Sequence, residues 1–376
     1  LENFEPDVEG GYRRMNGFRK FVNQIVPQTS AASERVIAVA NFSDKVIAAR
    51  GERIYNAGSS ELATAITATE TMSGSGVIKI NSVLGFTSSG TVQINSEAFT
   101  YTGINAAVSP NELTGVTRAA SSTTEAAHLG NVVVSTSWTQ IDTGRTNATK
   151  YRFERFNYNG TDKIIFVDEV NAPVVFDSSF NAVDVSNAAV SGSKFIASFK
   201  DHMFYAGKST TPEEVVFSVP FDEDNFGSGA GSIRVDDTIT GLKVFRDALF
   251  IFCENRIFKL TGVSESTFVM TPVTRSIGCL NGDTIQEFAG DLVFLGPDGL
   301  RTVAATAKIG DTELGTISKN VQSIFDANIR DSARFESVVI ADKTQYRIFF
   351  TKDGQAEGIT RGVTCVKKAD GYEFSE

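Results

Sequence analysis

The sequence repeats a short unit of strands and tight turns along most of its length. In one clear copy, a strand at 242–245 leads through a turn at Arg246 and Asp247 to an apolar run at 248–252, and then through Glu254 and Asn255 to an alternating strand at 256–260. A continuous apolar run is typical of a strand covered on both faces, whereas alternation is typical of a half-buried strand. The unit therefore predicts an antiparallel sheet.

Five other segments share this order of strands and turns, and they start near residues 36, 153, 195, 284 and 338. The first turns of the last five units, at 160, 201, 247, 291 and 342, lie about 41, 46, 44 and 51 residues apart. β-Propellers use about 40–50 residues for each blade. The spacing predicts an all-β fold, a six-bladed β-propeller.

One interval is too long for a single blade, because Asp44 and Gly160 lie about 116 residues apart. Residues 73–134, within that interval, are rich in Gly, Ser, Thr and Ala and contain strand-like segments of their own. Loops tolerate insertions of this size. We therefore predict a propeller formed by residues 1–72 and 135–376, with a small β-rich module inserted at 73–134.

One short amphipathic helix interrupts the strand pattern. Ser318 is placed to cap it, and one face carries Val321, Ile324, Phe325 and Ile329. Ring closure also needs the first and last blades to be joined, since open sheet edges invite aggregation. The strand-like segment at 18–22 is predicted to pair with the blade at about 339–366.

Charge and composition exclude several classes of function. With 35 basic and 45 acidic residues, the chain carries a net charge of −10 and shows no Lys/Arg cluster, so tight binding to duplex DNA is not expected. No apolar run approaches 18 residues and no signal peptide is recognisable, so no membrane segment is predicted. The three cysteines are widely spaced, which argues against a disulfide framework or a zinc site, and Cys253 is expected to be a buried, inert thiol.

No enzymatic activity is predicted, because the sequence lacks the signatures of common enzyme classes. A single tryptophan, Trp138, cannot supply the repeated Trp of sialidase, WD or kelch repeats. The segment at 227–231 places its serine wrongly for a nucleophile elbow, and the chain contains no nucleotide-binding P-loop.

Several acidic residues are candidates for a metal site or for acid–base catalysis. Residues 222–225 resemble the start of a calcium loop, but Phe226 occupies the fifth ligand position, which favours a solvated turn. The neighbours Asp236 and Asp237, like Asp168 and Glu169, point to opposite faces of a strand and do not share a site unless the backbone bulges. His128 is interpreted as a packing or turn residue. We therefore predict no catalytic, cofactor-binding or metal-binding residues.

Four groups of motifs carry a resemblance to a known family. The start, with Asn3-Phe4-Glu5-Pro6 and Gly10-Gly11-Tyr12-Arg13-Arg14, resembles the "GG-Y-x-R-x-x-G" opening of tail proteins from short-tailed bacteriophages. Residues 236–242 and 252–262 are similar to central blades of those proteins, as are 277–279 and 291–300 followed by Ile317 and Ser318. Residues 94–103 and 113–118 resemble a segment common in virion structural proteins.

This resemblance implies a tail hub or nozzle β-propeller of the packaged-DNA stabilisation type. It implies a homohexameric ring below the portal and adaptor, in contact with a tail fibre or tail-tip protein, that seals the packaged genome and then conducts it during DNA ejection. The location implied is the virion tail, assembled in the bacterial cytoplasm. No cofactor is implied, DNA would pass without sequence-specific binding, and the sequence assigns no residue to the channel lining.

A second hypothesis comes from another class of function. A propeller with a polar, aromatic-lined pocket at its centre could bind or cleave glycans at the host surface. The scarcity of tryptophan, a common sugar-stacking residue, weighs against it. Binding to a glycan array separates the two hypotheses.

Overall fold

A computed structural model of the chain describes residues 4–7, 11–15, 26–27, 35–304, 316–328, 332–352, 360–368 and 371–375. The chain divides into two compact units. One, here called the N-unit, is Phe18–Val185; the other, the C-unit, comprises Leu1–Gly17 and Ser186–Glu376. Within the described part of the chain, no helix has the length and apolar character needed to cross a membrane.

The N-unit contains two blade-like antiparallel sheets and the strands of the predicted module. Sheet 1 consists of β3 (Val36–Phe42), β4 (Lys45–Arg50), β5 (Arg53–Glu61) and β12 (Thr139–Asp142). Sheet 2 consists of β13 (Arg152–Tyr158), β14 (Thr161–Val167), β15 (Val174–Asp177) and β16 (Ala182–Asp184). The module strands are β6 (Ser73–Ile80), β7 (Gly90–Ile94), β8 (Glu97–Tyr101), β9 (Gly103–Asn105), β10 (Asn111–Ala120) and β11 (Val133–Thr136).

The C-unit contains four more sheets of the same kind, preceded by β1 (Phe4–Pro6) and β2 (Tyr12–Arg14). Sheet 3 consists of β17 (Phe195–Phe199), β18 (His202–Lys208), β19 (Thr211–Phe217) and β20 (Gly231–Arg234). Sheet 4 consists of β21 (Ile239–Phe245), β22 (Ala248–Cys253), β23 (Ile257–Thr261) and β24 (Val269–Thr274). Sheet 5 has β25 (Gln286–Phe288), β26 (Asp291–Gly296) and β27 (Gly299–Thr302), and sheet 6 has β28 (Ser332–Ile340), β29 (Gln345–Lys352), β30 (Thr360–Lys368) and β31 (Gly371–Ser375).

The predicted fold class, all-β with six blade-like sheets and one short helix, is confirmed. Each sheet follows chain order from strand to strand, and its first two strands are joined by a tight turn at the position that the spacing predicts. Several of these turns need positive φ at both central residues, as at Ser43 and Asp44 (45° and 60°) and at Asn159 and Gly160 (55° and 80°). Such turns match the twist of antiparallel strands.

An aromatic residue ends the first strand in five of the six sheets, directly before the turn. These residues are Phe42, Tyr158, Phe199, Phe245 and Phe288. All five are less than 9% exposed. Each ring therefore buries apolar surface beneath its turn, which explains why the repeat is rich in Phe.

Consecutive sheets within each unit bury apolar faces against one another. In the N-unit, one cluster joins sheets 1 and 2 through residues such as Ile47 and Phe176. In the C-unit, separate clusters join sheet 3 to sheet 4, sheet 4 to sheet 5, and sheet 5 to sheet 6. Strands in the middle of a sheet are buried on both faces, as in the fully buried β22.

The predicted helix is present as α1 (Gln322–Asn328), preceded by a 3₁₀ turn at Lys319–Val321. Phe325 is buried, and Val321 and Ile324 pack against the same cluster. The prediction that Ser318 caps the helix is wrong, because its side chain makes no capping hydrogen bond. The Ser318 hydroxyl instead accepts a hydrogen bond from the Leu300 backbone N–H (3.0 Å), while Ile329 lies outside the described residues.

The sheet formed by the module strands is continuous with sheet 1. Strand β11 pairs with the end of β5 on one side and with β7 on the other, so the hydrogen-bond ladder continues from the blade into the module. The module has its own apolar cluster, which includes Leu62, Phe99 and Val134. The boundaries at 73 and 134 stay a prediction.

Candidate functional site

The motif at the start of the chain forms a β-hairpin. Strands β1 and β2 pair so that Phe4 lies opposite Arg14 and Glu5 opposite Arg13. Gly11, with φ of 75°, lies at the turn and accepts a hydrogen bond from the Asp7 backbone N–H (3.0 Å). A side chain at this φ is strained, so the position favours glycine.

Glu5 anchors this hairpin to sheet 6. Its carboxylate, only 1% exposed, accepts hydrogen bonds from Arg13 Nε (2.7 Å), Lys343 Nζ (2.9 Å) and Arg347 Nη2 (2.6 Å). Burial alone would raise the pKa of Glu5, but the hydrogen bonds from Lys343 and Arg13 outweigh it and hold the pKa below its ordinary value. The N-terminal hairpin is thus tied to the last sheet by one buried carboxylate.

The predicted closing strand at 18–22 lies outside the described residues. The observed link between the start of the chain and sheet 6 is made earlier in the sequence, at Glu5. Phe4 and Tyr12 of the hairpin are 38% and 46% exposed. The hairpin therefore presents aromatic surface to its surroundings while its acidic centre is buried.

Polar contacts also connect consecutive sheets, at two pairs of turns and at one pair of strands. In the C-unit, Lys200 in the first turn of sheet 3 pairs with Asp247 in that of sheet 4. Arg246 then donates to the Gly290 carbonyl oxygen in the first turn of sheet 5 (3.0 Å). Sheets 5 and 6 are linked by Gln286, whose side-chain amide donates to the Ser337 carbonyl oxygen (3.2 Å). These contacts fix the spacing of neighbouring blades.

The module contains a fully buried ionic network centred on Glu97. Arg118 donates to both carboxylate oxygens through Nε (2.8 Å) and Nη2 (2.9 Å), and the Ala126 backbone N–H donates as well (2.9 Å). His128 Nε2 lies 2.8 Å from the same carboxylate, and its Nδ1 lies 3.1 Å from the side-chain amide of Asn95. A neutral His128 that carries its proton on Nε2 satisfies both contacts.

The charges of this network stabilise the ionised carboxylate. Burial would raise the pKa of Glu97, but the hydrogen bonds from Arg118 and His128 lower it to about 2. Arg118 also donates to the carbonyl oxygens of Thr67 (2.7 Å) and Glu70 (3.0 Å). The network therefore ties strands β8 and β10 to the loop at 67–70, which precedes the module, and to Ala126 within it, and His128 is one of its members.

A second ion pair, between the buried Arg301 and the half-exposed Asp298, shapes the turn between β26 and β27. Arg301, 1% exposed, donates to both carboxylate oxygens of Asp298 (2.7 and 2.5 Å). Asp298 also accepts from the Thr316 hydroxyl (2.8 Å). Burial raises the pKa of Asp298, but these hydrogen bonds outweigh it and keep the pKa below its ordinary value. The pair holds the segment before α1 against sheet 5.

The acidic pairs considered from the sequence are engaged in local structure. Asp236 forms an ion pair with Arg256, and Asp237 accepts a hydrogen bond from the Asn255 backbone N–H (2.7 Å). Asp168 accepts from the backbone N–H of Asn171 (2.7 Å), and Glu169 contacts Arg152 (3.4 Å). The two members of each pair thus bind different partners.

The calcium-like segment at 222–225 forms a turn. The Asp222 carboxylate accepts from the Asn225 side chain (3.1 Å), and the Glu223 carbonyl oxygen accepts from the Tyr205 hydroxyl (2.7 Å). Across the described ranges, no group of three or more His, Cys, Asp and Glu side chains is arranged to hold a metal ion.

The three cysteines are free and buried. Burial raises the pKa of Cys253 and of Cys279 to about 12, and it also raises that of Cys365. The prediction of a buried thiol at Cys253 is therefore confirmed. Thiolate chemistry at neutral pH is disfavoured at all three positions.

Sequence reasoning missed Glu5, Glu97 and Asp298 as the centres of ionic networks. Glu97 and Arg118 both lie in the segments that resemble virion structural proteins, and Glu5 lies in the opening motif. The sequence signal that could have indicated such a centre is a charged residue that lies between the apolar residues of a predicted strand. Most partners could not be inferred, because Lys343 and Arg347, which bind Glu5 together with the nearby Arg13, lie about 340 positions away from it.

Comparisons with known proteins found distant likenesses among solved structures. No protein-family model matches the chain, and no curated protein matches it. Among solved structures, Kluyveromyces lactis Hsv2, a β-propeller, shares 9% identity over 91% of this chain and 98% of its own, with a TM-score of 0.36. BBS1N in complex with ARL6DN shares 10% identity over 71% and 76% (TM-score 0.31), and the computationally designed Ika8 protein shares 8% over 92% and 98% (TM-score 0.32). At these TM-scores the likenesses carry no argument about function.

Proposed function

We propose that the chain is a structural subunit of the tail of a short-tailed bacteriophage. Six copies would form a nozzle or hub ring below the portal and adaptor, which seals the packaged genome and then conducts it. The opening motif, whose resemblance suggests this family, supports the proposal through its own chemistry. Glu5 and Arg13 of that motif form a clasp on the last sheet, which is a scaffold role.

The net charge also supports a conduit. A net charge of −10 repels DNA phosphates where the acidic residues face them, and strong phosphate binding would slow a genome moving through a channel. In addition, the carboxylate pairs that acid–base catalysis would need are held in turns and ion pairs. These features support a scaffold that positions neighbouring proteins and lets DNA pass.

The experiment is deletion of the gene from the phage that encodes the chain. Heads that package DNA and then leak it are expected, and wild-type particles should contain about six copies by quantitative protein staining. Complementation with the intact gene, supplied in trans, should restore full heads and infectivity. Heads that stay full and infectious without the protein would contradict the role.

A cleft in the N-unit keeps the glycan-binding hypothesis as a second candidate. The cleft, of about 450 Å³, is lined by Phe42, Phe156, Arg155 and Asn157, among others. Aromatic and planar polar groups of this kind can hold a sugar ring. Binding of the purified chain to a glycan array, lost in Arg155→Ala, would favour this function over the tail role.

A further inference from the structure

A second cleft, of about 400 Å³, lies in the C-unit where sheet 4 packs against sheet 5. Its apolar floor includes Phe245, Phe250 and Val303, and each of the three is only slightly exposed. This volume is near the lower end of the range for ligand sites, about 300–1,000 Å³. The cleft can therefore receive one or two side chains.

Three cations surround this floor. The strand register places Lys243 opposite Phe250 and Phe250 opposite Lys259, so all three residues lie side by side on the same face of sheet 4. Arg246, in the turn before β22, lies over the Phe245 ring with its guanidinium carbon 4.9 Å from the ring centre. Within the described residues, neither lysine forms an ion pair with a carboxylate within 4.0 Å; Lys259 lines the cleft, and Lys243 lies beside it.

The carboxylates beside the cleft already have partners. Asp247 pairs with Lys200, and Asp291 accepts hydrogen bonds from the backbone N–H groups of Leu292 (2.8 Å) and Ala304 (3.0 Å). The site thus combines available cations with an apolar floor, on a chain whose net charge is −10. A local excess of positive charge on an acidic protein attracts an anionic group to that place.

We infer that this cleft binds an acidic peptide segment of a partner protein. A carboxylate of the segment meets Lys259 and Arg246, and an adjacent aromatic or aliphatic side chain packs on Phe245 and Phe250. Such pairing joins electrostatic attraction to burial of apolar surface. A nucleic acid fits less well, because it carries a charge on every nucleotide and the net charge of −10 repels such a polyanion more strongly than a short acidic segment. The inference is independent of the tail role.

The test uses the purified full chain and a fluorescein-labelled hexapeptide that contains Phe-Asp-Glu. Two matched peptides replace Asp-Glu by Asn-Gln, or Phe by Ala. Fluorescence anisotropy should show binding of the first peptide and about tenfold weaker binding of the other two, as expected for loss of one charged or one apolar contact. Binding should also weaken as salt rises.

Two variants locate the site. Lys259→Gln should weaken binding of the Phe-Asp-Glu peptide about tenfold. Lys319→Gln, at an exposed lysine outside the cleft, should leave it unchanged. Circular dichroism of both variants should match that of the wild type.

Three results would overturn the inference. The first is absence of peptide binding. The second is that the wild type binds the neutral peptide as tightly as the Phe-Asp-Glu peptide, or that Lys259→Gln binds the Phe-Asp-Glu peptide as tightly as the wild type does. The third is a labelled oligothymidylate that binds the cleft more tightly than the acidic peptide, which would make it a nucleic-acid site.

Discussion

Neutralising Glu97 should remove a large part of the stability of the N-unit at neutral pH. The ordinary pKa of the carboxyl group is 4.5, and the native pKa is about 2. Since each tenfold change in proton affinity corresponds to about 1.4 kcal/mol, the difference is worth about 3 kcal/mol of unfolding free energy. Glu97→Gln also leaves the buried Arg118 without a counter-charge, a change that costs about 3–5 kcal/mol in other proteins.

The contribution of Glu97 to the unfolding free energy depends on pH. Because the native pKa lies below that of the unfolded chain, the contribution of Glu97 is fully present above about pH 4.5 and is lost as the pH falls towards 2. The unfolding free energy of the wild type should therefore exceed that of Glu97→Gln by about 3 kcal/mol at pH 7. Between pH 7 and pH 3.5 this difference should decrease by about 1 kcal/mol.

Urea unfolding followed by Trp138 fluorescence is a suitable assay, since Trp138 is the single tryptophan and lies in the N-unit. The control is Glu61→Gln, at an exposed glutamate near the module, which should change stability by less than about 0.5 kcal/mol. If Glu97→Gln unfolds like the control at pH 7, or if its loss of unfolding free energy is the same at pH 3.5 as at pH 7, Glu97 does not stabilise the N-unit through its charge.

Three further predictions concern the C-unit. Glu5→Gln should release the N-terminal hairpin and speed tryptic cleavage after Arg13 at least about fivefold, because a hydrogen bond to a charged group contributes about 1.5–3 kcal/mol; an unchanged rate would argue against the clasp. Asp298→Asn should cost about 1–2 kcal/mol in urea unfolding, since solvent partly screens the half-exposed carboxylate although Arg301 is buried, whereas the exposed control Asp326→Asn should cost less than about 0.5 kcal/mol. Equal losses in the two would contradict this. A thiol-specific reagent such as Ellman's should label the three buried cysteines only in denaturant. Rapid labelling of the native chain would contradict the burial of these thiols.

The blades could be predicted from sequence because their signals are local. A two-residue turn such as Asn159 and Gly160 lies between apolar strands, and its recurrence at a nearly fixed interval reveals the repeat without knowledge of distant contacts. The apolar face of α1 was predictable for the same reason. Its cap was not, because the Ser318 hydroxyl bonds to Leu300 of a neighbouring strand.

The polar networks could not be predicted, because they join residues far apart in the sequence. Glu5 contacts Lys343 and Arg347, and only the packing of the hairpin on sheet 6 brings these side chains together. A single buried carboxylate has no periodicity that a sequence pattern could reveal. The cleft between sheets 4 and 5 escaped prediction similarly, since Lys243 and Lys259 become neighbours of Phe250 only through strand register.

An electron cryomicroscopy reconstruction of the tail of purified particles tests the proposed role most directly. Six copies of the chain are expected around the tail axis, each with six blade-like sheets, enclosing a channel wide enough for duplex DNA. A particle that lacks the chain, or one that carries it only as an isolated appendage away from the axis, would contradict it.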